Sequence, residues 1–419
     1  MRLPFTLLAL AIFCGSNLLF AEDVLRFRGD NSQGIYNEPG LLDSWPEDGL
    51  KPKWVIDYLG EGWSSVIKVK DRLYVNCIDA DDTKKESVVC MDLAGKKIWQ
   101  TPTGAIWRGD YPESRSTPTF VPGEKVGNDR LLVFSGAGEL FCLAATDGKV
   151  MWQKEVSKDY DTQFGNWGIA ENLAAKDGKV FVTVGGKKAL AVAYNIADGS
   201  VAWETAPLED NCAYVAPVFY EDKLLILTAK FVSILDSKTG KLLWKDDFQE
   251  ATGGATRMSG INCNAFLIKG NQFFVTEGYG QGCAMYEMNA DATGAELKWA
   301  NKAIDTHHHG VVEIDGRIYG SNFRGQWVCV DWNTGETVYS EGWEGAGKGV
   351  TIFADGKLFM YDERGGTLAL AKPSDKFEII SSFKIDYGTA QHWAHPVISD
   401  GVLYVRHGQA LAAYDITKK

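Results

Sequence analysis

The chain has 419 residues, of which 45% are hydrophobic, 12% aromatic and 23% charged, a composition that excludes an intrinsically disordered polymer. Its formal net charge is -12 with no block of lysine or arginine, which argues against nucleic acid or an anionic membrane surface as a partner. The length exceeds one ordinary compact domain unless the chain folds as a barrel or a repeat array.

The chain opens on "MRLPFTLLALAIFCGSNLLFA", where Arg2 precedes an apolar run over 3–13. That is the layout of a secretory signal peptide, with cleavage expected after Ala21. Phe13 beside Cys14 is unlike a bacterial lipoprotein box, so lipidation at Cys14 is not expected. No later stretch approaches the ~20 apolar residues of a membrane span. The expectation is a periplasmic or secreted monomer, with a lead segment over 22–50 and one domain over 51–419.

From residue 51 one phrase recurs: "DLAGKKIW" (92–99), "TDGKVMW" (146–152), "ADGSVAW" (197–203), "DSKTGKLLW" (236–244) and "DWNTGETVY" (331–339). It sets tryptophans at 54, 99, 152, 203, 244 and 299, then Tyr339 and Phe377, in one repeat position. Upstream of these turns lie hairpin patterns such as "KDGKVFV" (176–182), "IDGRIYG" (314–320) and "SDGVLYV" (399–405). Each unit reads as four short antiparallel strands joined by tight turns. Four strands in a period of about 40–50 residues mark a β-propeller. Aligning the units predicts an all-β, eight-bladed propeller of four-stranded antiparallel blades. The last unit (392–419) lacks its fourth strand, which 51–59 supplies by pairing with the strand around 409–415. The large ring is expected to fill the wedge between blades, and the turn glycine to permit positive φ. Cys142, Cys329 and Ala413 share one position where a small side chain is expected.

Seven cysteines follow Ala21, at 77, 90, 142, 212, 263, 283 and 329, with no C-x-x-C spacing among them. They read as buried, inert residues, although Cys77 and Cys90 flank one hairpin and could bridge in an oxidising compartment.

The repeats resemble the PQQ-like, or quinoprotein-type, β-propeller family, strongest in "RSTPTF" (115–120), "GNWGIAEN" (165–172), "THHHGVVEIDGRIYG" (306–320), "GQWVCVDWNTGE" (325–336) and "HWAHPVISDGVLYVRHGQALAAYDI" (392–416). The resemblance implies an exported bacterial propeller, sharing its fold with quinoprotein alcohol dehydrogenases and with a lipoprotein that assembles outer-membrane proteins. It raises PQQ with calcium as a cofactor. The dehydrogenases' adjacent Cys-Cys pair is missing, and no local motif marks their calcium ligands or catalytic aspartate.

The innermost strands of a propeller line a central channel. Aligning them brings Trp63, Arg115, Asn262, His308, Lys348 and Trp393 into one column, and Asn172, Asn264 and His395 into a second on the same strand face. With His309, these are the candidate binding residues at the channel mouth; polar groups and aromatic walls at a concave mouth suit a ligand. Read as a strand, "HHH" (307–309) points His307 and His309 one way and His308 the other, too few ligands for a metal, and none is expected. Glu363 and Arg364 either reach this face or pair in solvent, and "DADDTKKE" (79–86) reads as a solvated hairpin tip. No G-x-S-x-G, H-E-x-x-H, phosphate loop or dinucleotide fingerprint is present. The favoured reading is a scaffold that binds a small molecule, glycan or protein in its funnel. A PQQ-dependent dehydrogenase and a polysaccharide-acting enzyme are the alternatives, and no catalytic residue is assigned.

Overall fold

The structure, a computed structural model, describes residues 23–162 and 165–419. The signal-peptide reading, its cleavage after Ala21 and the question of Cys14 lie outside the described residues. Eight sheets follow one another around a ring, as the repeat predicts. Blades one to seven span 67–105, 119–154, 174–204, 218–247, 267–301, 312–342 and 349–384. The eighth combines three strands over 397–415 with Trp54–Ile56. That strand pairs antiparallel with the chain's last strand, Trp54 opposite Ala413 and Ile56 opposite Leu411, so the ring closes through both ends of the propeller.

Turn chemistry sets each blade. Asp177–Gly178, Asp315–Gly316, Asp355–Gly356 and Asp400–Gly401 each hold two successive residues at positive φ, the geometry of a type I′ hairpin between the first and second strands. Between third and fourth strands the repeated glycine has a second duty. The Trp99, Trp152, Trp203 and Trp299 rings lie so close to Gly148, Gly199, Gly240 and Gly335 of the following blade that a Cβ there would come within 2.4–2.8 Å of them. The indole N–H groups of Trp54, Trp152, Trp203 and Trp299 donate to carbonyls of the following blade, at 2.8–3.0 Å. One phrase thus carries both halves of a joint, a ring for the next blade and a bare turn for the previous one.

Two details depart from the sequence reading. Cys90, Cys142, Ala193, Cys329 and Ala413 do face the repeat aromatic across the strand pair, but Ile234 and Met285 hold the same place, so a small side chain is not required. Phe377 lies before the fourth strand of blade seven, Ile379–Lys384, and packs 5.8 Å from Tyr339. Ser381, opposite Leu370, takes the repeat position there. Trp45 of the lead segment supplies the missing ring. Its backbone N–H donates to Ser381 Oγ at 2.7 Å, and the ring packs edge-on against Phe359 and Phe383, both at 5.7 Å.

The lead segment also makes blade seven five-stranded, because Ile35–Tyr36 pairs in parallel with its innermost strand. Upstream, the segment bonds to the far ends of inner strands around the ring. Val24 bridges Lys68, Asn31 exchanges two bonds with Phe219, and Gln33 exchanges two with Phe266 and Ile268. Glu38 accepts from the Asp400 and Gly401 amides. One mouth of the channel is closed this way. Arg28, 2% exposed, donates to the carbonyls of Val311 (2.7 Å) and Thr351 (3.1 Å) and lies 3.0 Å from His395 Nδ1. Its guanidinium leaves no room for a Cβ at Gly310.

All seven described cysteines are free thiols, and only Cys263 is more than marginally exposed. Cys77 faces Ser87 and Cys90 faces Tyr74, so these two do not bridge. The loop 79–86 is not a solvated tip throughout. Asp79 is buried and accepts from Ser87, while Glu86 is buried between the Gly136 amide and Asn76.

Candidate functional site

At the mouth opposite the lead segment, the loops that enter the inner strands enclose a cavity of about 280 Å³. Of the ten candidate residues, Trp63, Arg115, Asn172, His308, Trp393 and His395 line it. Trp63, Trp393 and Tyr111 pack together with ring centroids 4.6–5.9 Å apart, and Trp167 faces Tyr214 at 6.0 Å. Phe27 of the lead segment forms part of the lining and packs on His395 at 4.8 Å.

Arg115 is tied down. Its two terminal nitrogens donate to the Trp167 and Tyr111 carbonyls, and its guanidinium lies 5.9 Å from the Trp63 ring. It therefore fixes the positions of Tyr111 and Trp167, which sequence alignment missed because both sit on loops outside the repeat. Tyr279 and His307 were missed for the same reason.

The remaining candidates lie behind the wall. Asn262 donates to the carbonyls of Thr228 and Ala229, and Asn264 to those of Thr306 and His307. Asn264 also accepts from the Gly310 amide of the next inner strand, as Asn172 accepts from Thr117 and Thr117 from Ser65. That column is polar because it stitches neighbouring inner strands, whose amides would otherwise be buried without partners.

Residues 307–309 lie in no strand, with a bend at 308–309, so the alternation expected of them fails. The three imidazole centroids lie 4.1–5.8 Å apart. His309 is buried with Nε2 3.1 Å from Glu363 Oε2, and the same oxygen accepts from Trp393 Nε1 at 3.0 Å. Lys348 stands 3.6 Å from Glu363 Oε1 and 3.3 Å from His307 Nδ1, its ammonium 3.9 Å from the Phe323 ring. Glu363 thus reaches this face, whereas Arg364 stays in solvent.

Burial, reinforced by His309 and Lys348, pushes His307 down to about 2, and burial holds His308 and His395 well below the usual imidazole range. Burial alone would raise Glu363. The hydrogen bond with His309 and the Lys348 ammonium outweigh it and hold the carboxyl at about 2. At neutral pH the wall therefore shows neutral imidazoles and aromatic faces, and its one guanidinium is engaged by backbone carbonyls.

Comparison with known proteins bears on this architecture. The family model described as outer membrane protein assembly factor BamB matches residues 84–341. BamB of Yersinia pestis is 23% identical over 285 residues, covering 65% of this chain and 67% of that protein. Among solved structures, BamB from Moraxella catarrhalis superposes with a TM-score of 0.62 at 13% identity, over 87% of this chain and 99% of its own. The quinohemoprotein alcohol dehydrogenase ADHIIG from Pseudomonas putida gives a TM-score of 0.66 at 13% identity, over 95% and 81%. At such identities the structural likeness speaks to fold, and it agrees with the eight-bladed ring. With the family model covering more than half of its length, the chain belongs to the PQQ-like β-propeller family described as outer membrane protein assembly factor BamB.

Proposed function

We propose that the protein is an exported binding protein whose funnel takes a small, uncharged, ring-shaped ligand, a sugar ring or a flat aromatic. The observation that carries this reading is the cavity wall. Trp63, Tyr111 and Trp393 on one side, and Trp167 with Tyr214 on another, offer stacking faces with no free charge among them. The lining also carries the Tyr279 hydroxyl, 2.7 Å from His307 Nε2.

The relationship to quinoprotein dehydrogenases raises PQQ with calcium, and the donor set does not fit that pair. Calcium takes six to eight oxygen ligands, usually with carboxylates among them, and among the described residues no Asp or Glu lines the cavity. PQQ is a polyanion, and Arg115, the only arginine among the described residues of the wall, is already bonded to two carbonyls. No oxidative step is therefore assigned to this site.

Titration of the native tryptophan fluorescence with a panel of oligosaccharides and aromatic small molecules tests the proposal. A ligand is expected to quench the wild type and to bind a Trp63→Ala/Trp393→Ala double variant at least about tenfold more weakly, given ~1–3 kcal/mol per stacked ring. Equal binding by both proteins removes the cavity as the site. Kinship with an outer-membrane assembly factor favours a second reading, a protein-binding scaffold. Crosslinking in envelope extracts would then recover a defined protein, and the double variant would not alter that capture.

A further inference from the structure

One cluster at the edge of the cavity is unexplained by an aromatic binding wall. A ligand atom from each of His307, His308, His309 and Glu363 lies within 4.8 Å of the other three. Two of the imidazole nitrogens, His308 Nε2 and His309 Nδ1, are sealed from solvent and have no hydrogen-bond partner among the described residues. A buried polar atom left unpaired is costly, and in a native protein it commonly marks an unseen water or ion.

The bonding at His309 sharpens the point. With its Nε2–H donated to Glu363, the imidazole carries a bare lone pair on Nδ1. A carboxylate holding one ring nitrogen while the other points at an ion is how proteins orient metal-binding histidines. The environment is also suited to positive charge already. Lys348 brings its ammonium to 3.3 Å from His307 and 3.6 Å from Glu363. That ammonium cannot accept a hydrogen bond from, or donate to, every nitrogen of the cluster at once, and the two orphaned nitrogens stay unpaired with it present.

We infer that His307, His308 and His309 supply the nitrogen ligands of a binding site for a divalent first-row transition ion, with zinc the best match to this set and Glu363 the carboxylate that orients His309. Lys348 is the resident cation that the ion displaces, swinging off toward Phe323, against which it already rests. His307 and His308 line the cavity while His309 and Glu363 are buried behind it. Any further ligand to the ion must therefore come from the cavity side. The inference stands independently of which ring-shaped molecule the funnel takes.

The test uses the full exported chain without a polyhistidine tag, stripped with a chelator and titrated with Co²⁺ followed visibly, then with Zn²⁺ in competition. One Co²⁺ per chain is expected, with the intense visible absorption of a four- or five-coordinate nitrogen–oxygen site, and Zn²⁺ should abolish it. His308→Ala is expected to weaken Co²⁺ binding at least about tenfold and to change the spectrum. Lys348→Met removes the competing ammonium and should bind Co²⁺ more tightly than the wild type. Mg²⁺ and Ca²⁺ should not compete. Absence of stoichiometric Co²⁺ in both the wild type and Lys348→Met overturns the inference. So does binding that His308→Ala and Glu363→Gln leave unchanged.

Discussion

Arg406 and Ser64 clasp across the seam where the ring closes. Arg406 Nη1 donates to the Ser64 carbonyl at 3.0 Å and to its hydroxyl at 2.7 Å, and also reaches the Asn76 carbonyl at 2.7 Å. The remaining guanidinium nitrogens go to Gly60 and Gly408. One side chain, 1% exposed, thus satisfies carbonyls of the last blade and of the strand and loop that open the first. Arg406→Met takes the guanidinium from these buried carbonyls, although that of Asn76 still accepts from the Ser64 hydroxyl at 2.6 Å. It is expected to cost about 3–5 kcal/mol, read as a lowered urea midpoint.

Closure itself is tested by deleting 51–59. Among the described strands, Trp54–Ile56 alone pairs with the outer edge of Ala410–Asp415. Its loss should broaden the melting transition and lower its midpoint by more than the Arg406 variant does. An unchanged melt would be incompatible with the ring described above.

The repeated glycine has two duties, and they can be separated. Gly240 and Gly316 both sit at positive φ, 72° and 82°. A Cβ on Gly240 would lie 2.4 Å from the Trp203 ring, whereas one on Gly316 meets nothing within 4 Å. Gly316→Ala is expected to cost about 1 kcal/mol from backbone conformation alone. Gly240→Ala should cost that plus a further ~1–3 kcal/mol, because the indole must move. Chemical denaturation of the two variants side by side decides it.

Trp45 substitutes for a ring that blade seven lacks. It is 4% exposed and packs on Phe359 and Phe383. Trp45→Ala should therefore destabilise by about 3–5 kcal/mol, as for any large buried aromatic. Restoring a ring at Ser381 in that background should recover part of the loss, measured by the thermal midpoint.

Three buried glutamates give the stability a direction with pH. Burial pushes Glu171 up to about 8 and Glu86 and Glu277 up to about 7. The unfolded chain releases these protons near pH 4.3. Between that value and about 7–8 the native state holds protons that the unfolded state has lost, so stability falls as pH rises through the window. Glu171→Gln keeps a neutral acceptor for the Thr183 amide. Its urea midpoint should fall less steeply than the wild type's from about pH 5 to about pH 8, crossing above it at the alkaline end.

The ring was legible in the sequence because its information is local and repeated. Each Asp-Gly hairpin, each glycine and each indole recurs at nearly fixed spacing, and the orphaned strand at Trp54 had one vacancy to fill. Where the phrase loses its glycine, as in the turn before Phe377, alignment slipped by four residues from Ser381. The site was less legible. Column alignment found Trp63, Trp393 and His395, but it also gathered Asn262 and Asn264, whose amides serve backbone carbonyls. Strand alternation misread His307–His309, since residues outside a strand obey no period of two. The lead segment left no pattern at all: Arg28, Asn31, Gln33 and Glu38 act one side chain at a time on backbone groups far along the chain.

The pairing of Trp54–Ile56 with Leu411–Ala413 also orders events during synthesis. A strand made early has no mate until Leu411–Ala413 has been made, about 350 residues later, and a loop of that length is slow to close. Premature termination anywhere before Leu411 would leave an open sheet edge at one end and an unaccompanied hydrophobic strand at the other, a state exposed to proteases and to association with its own kind.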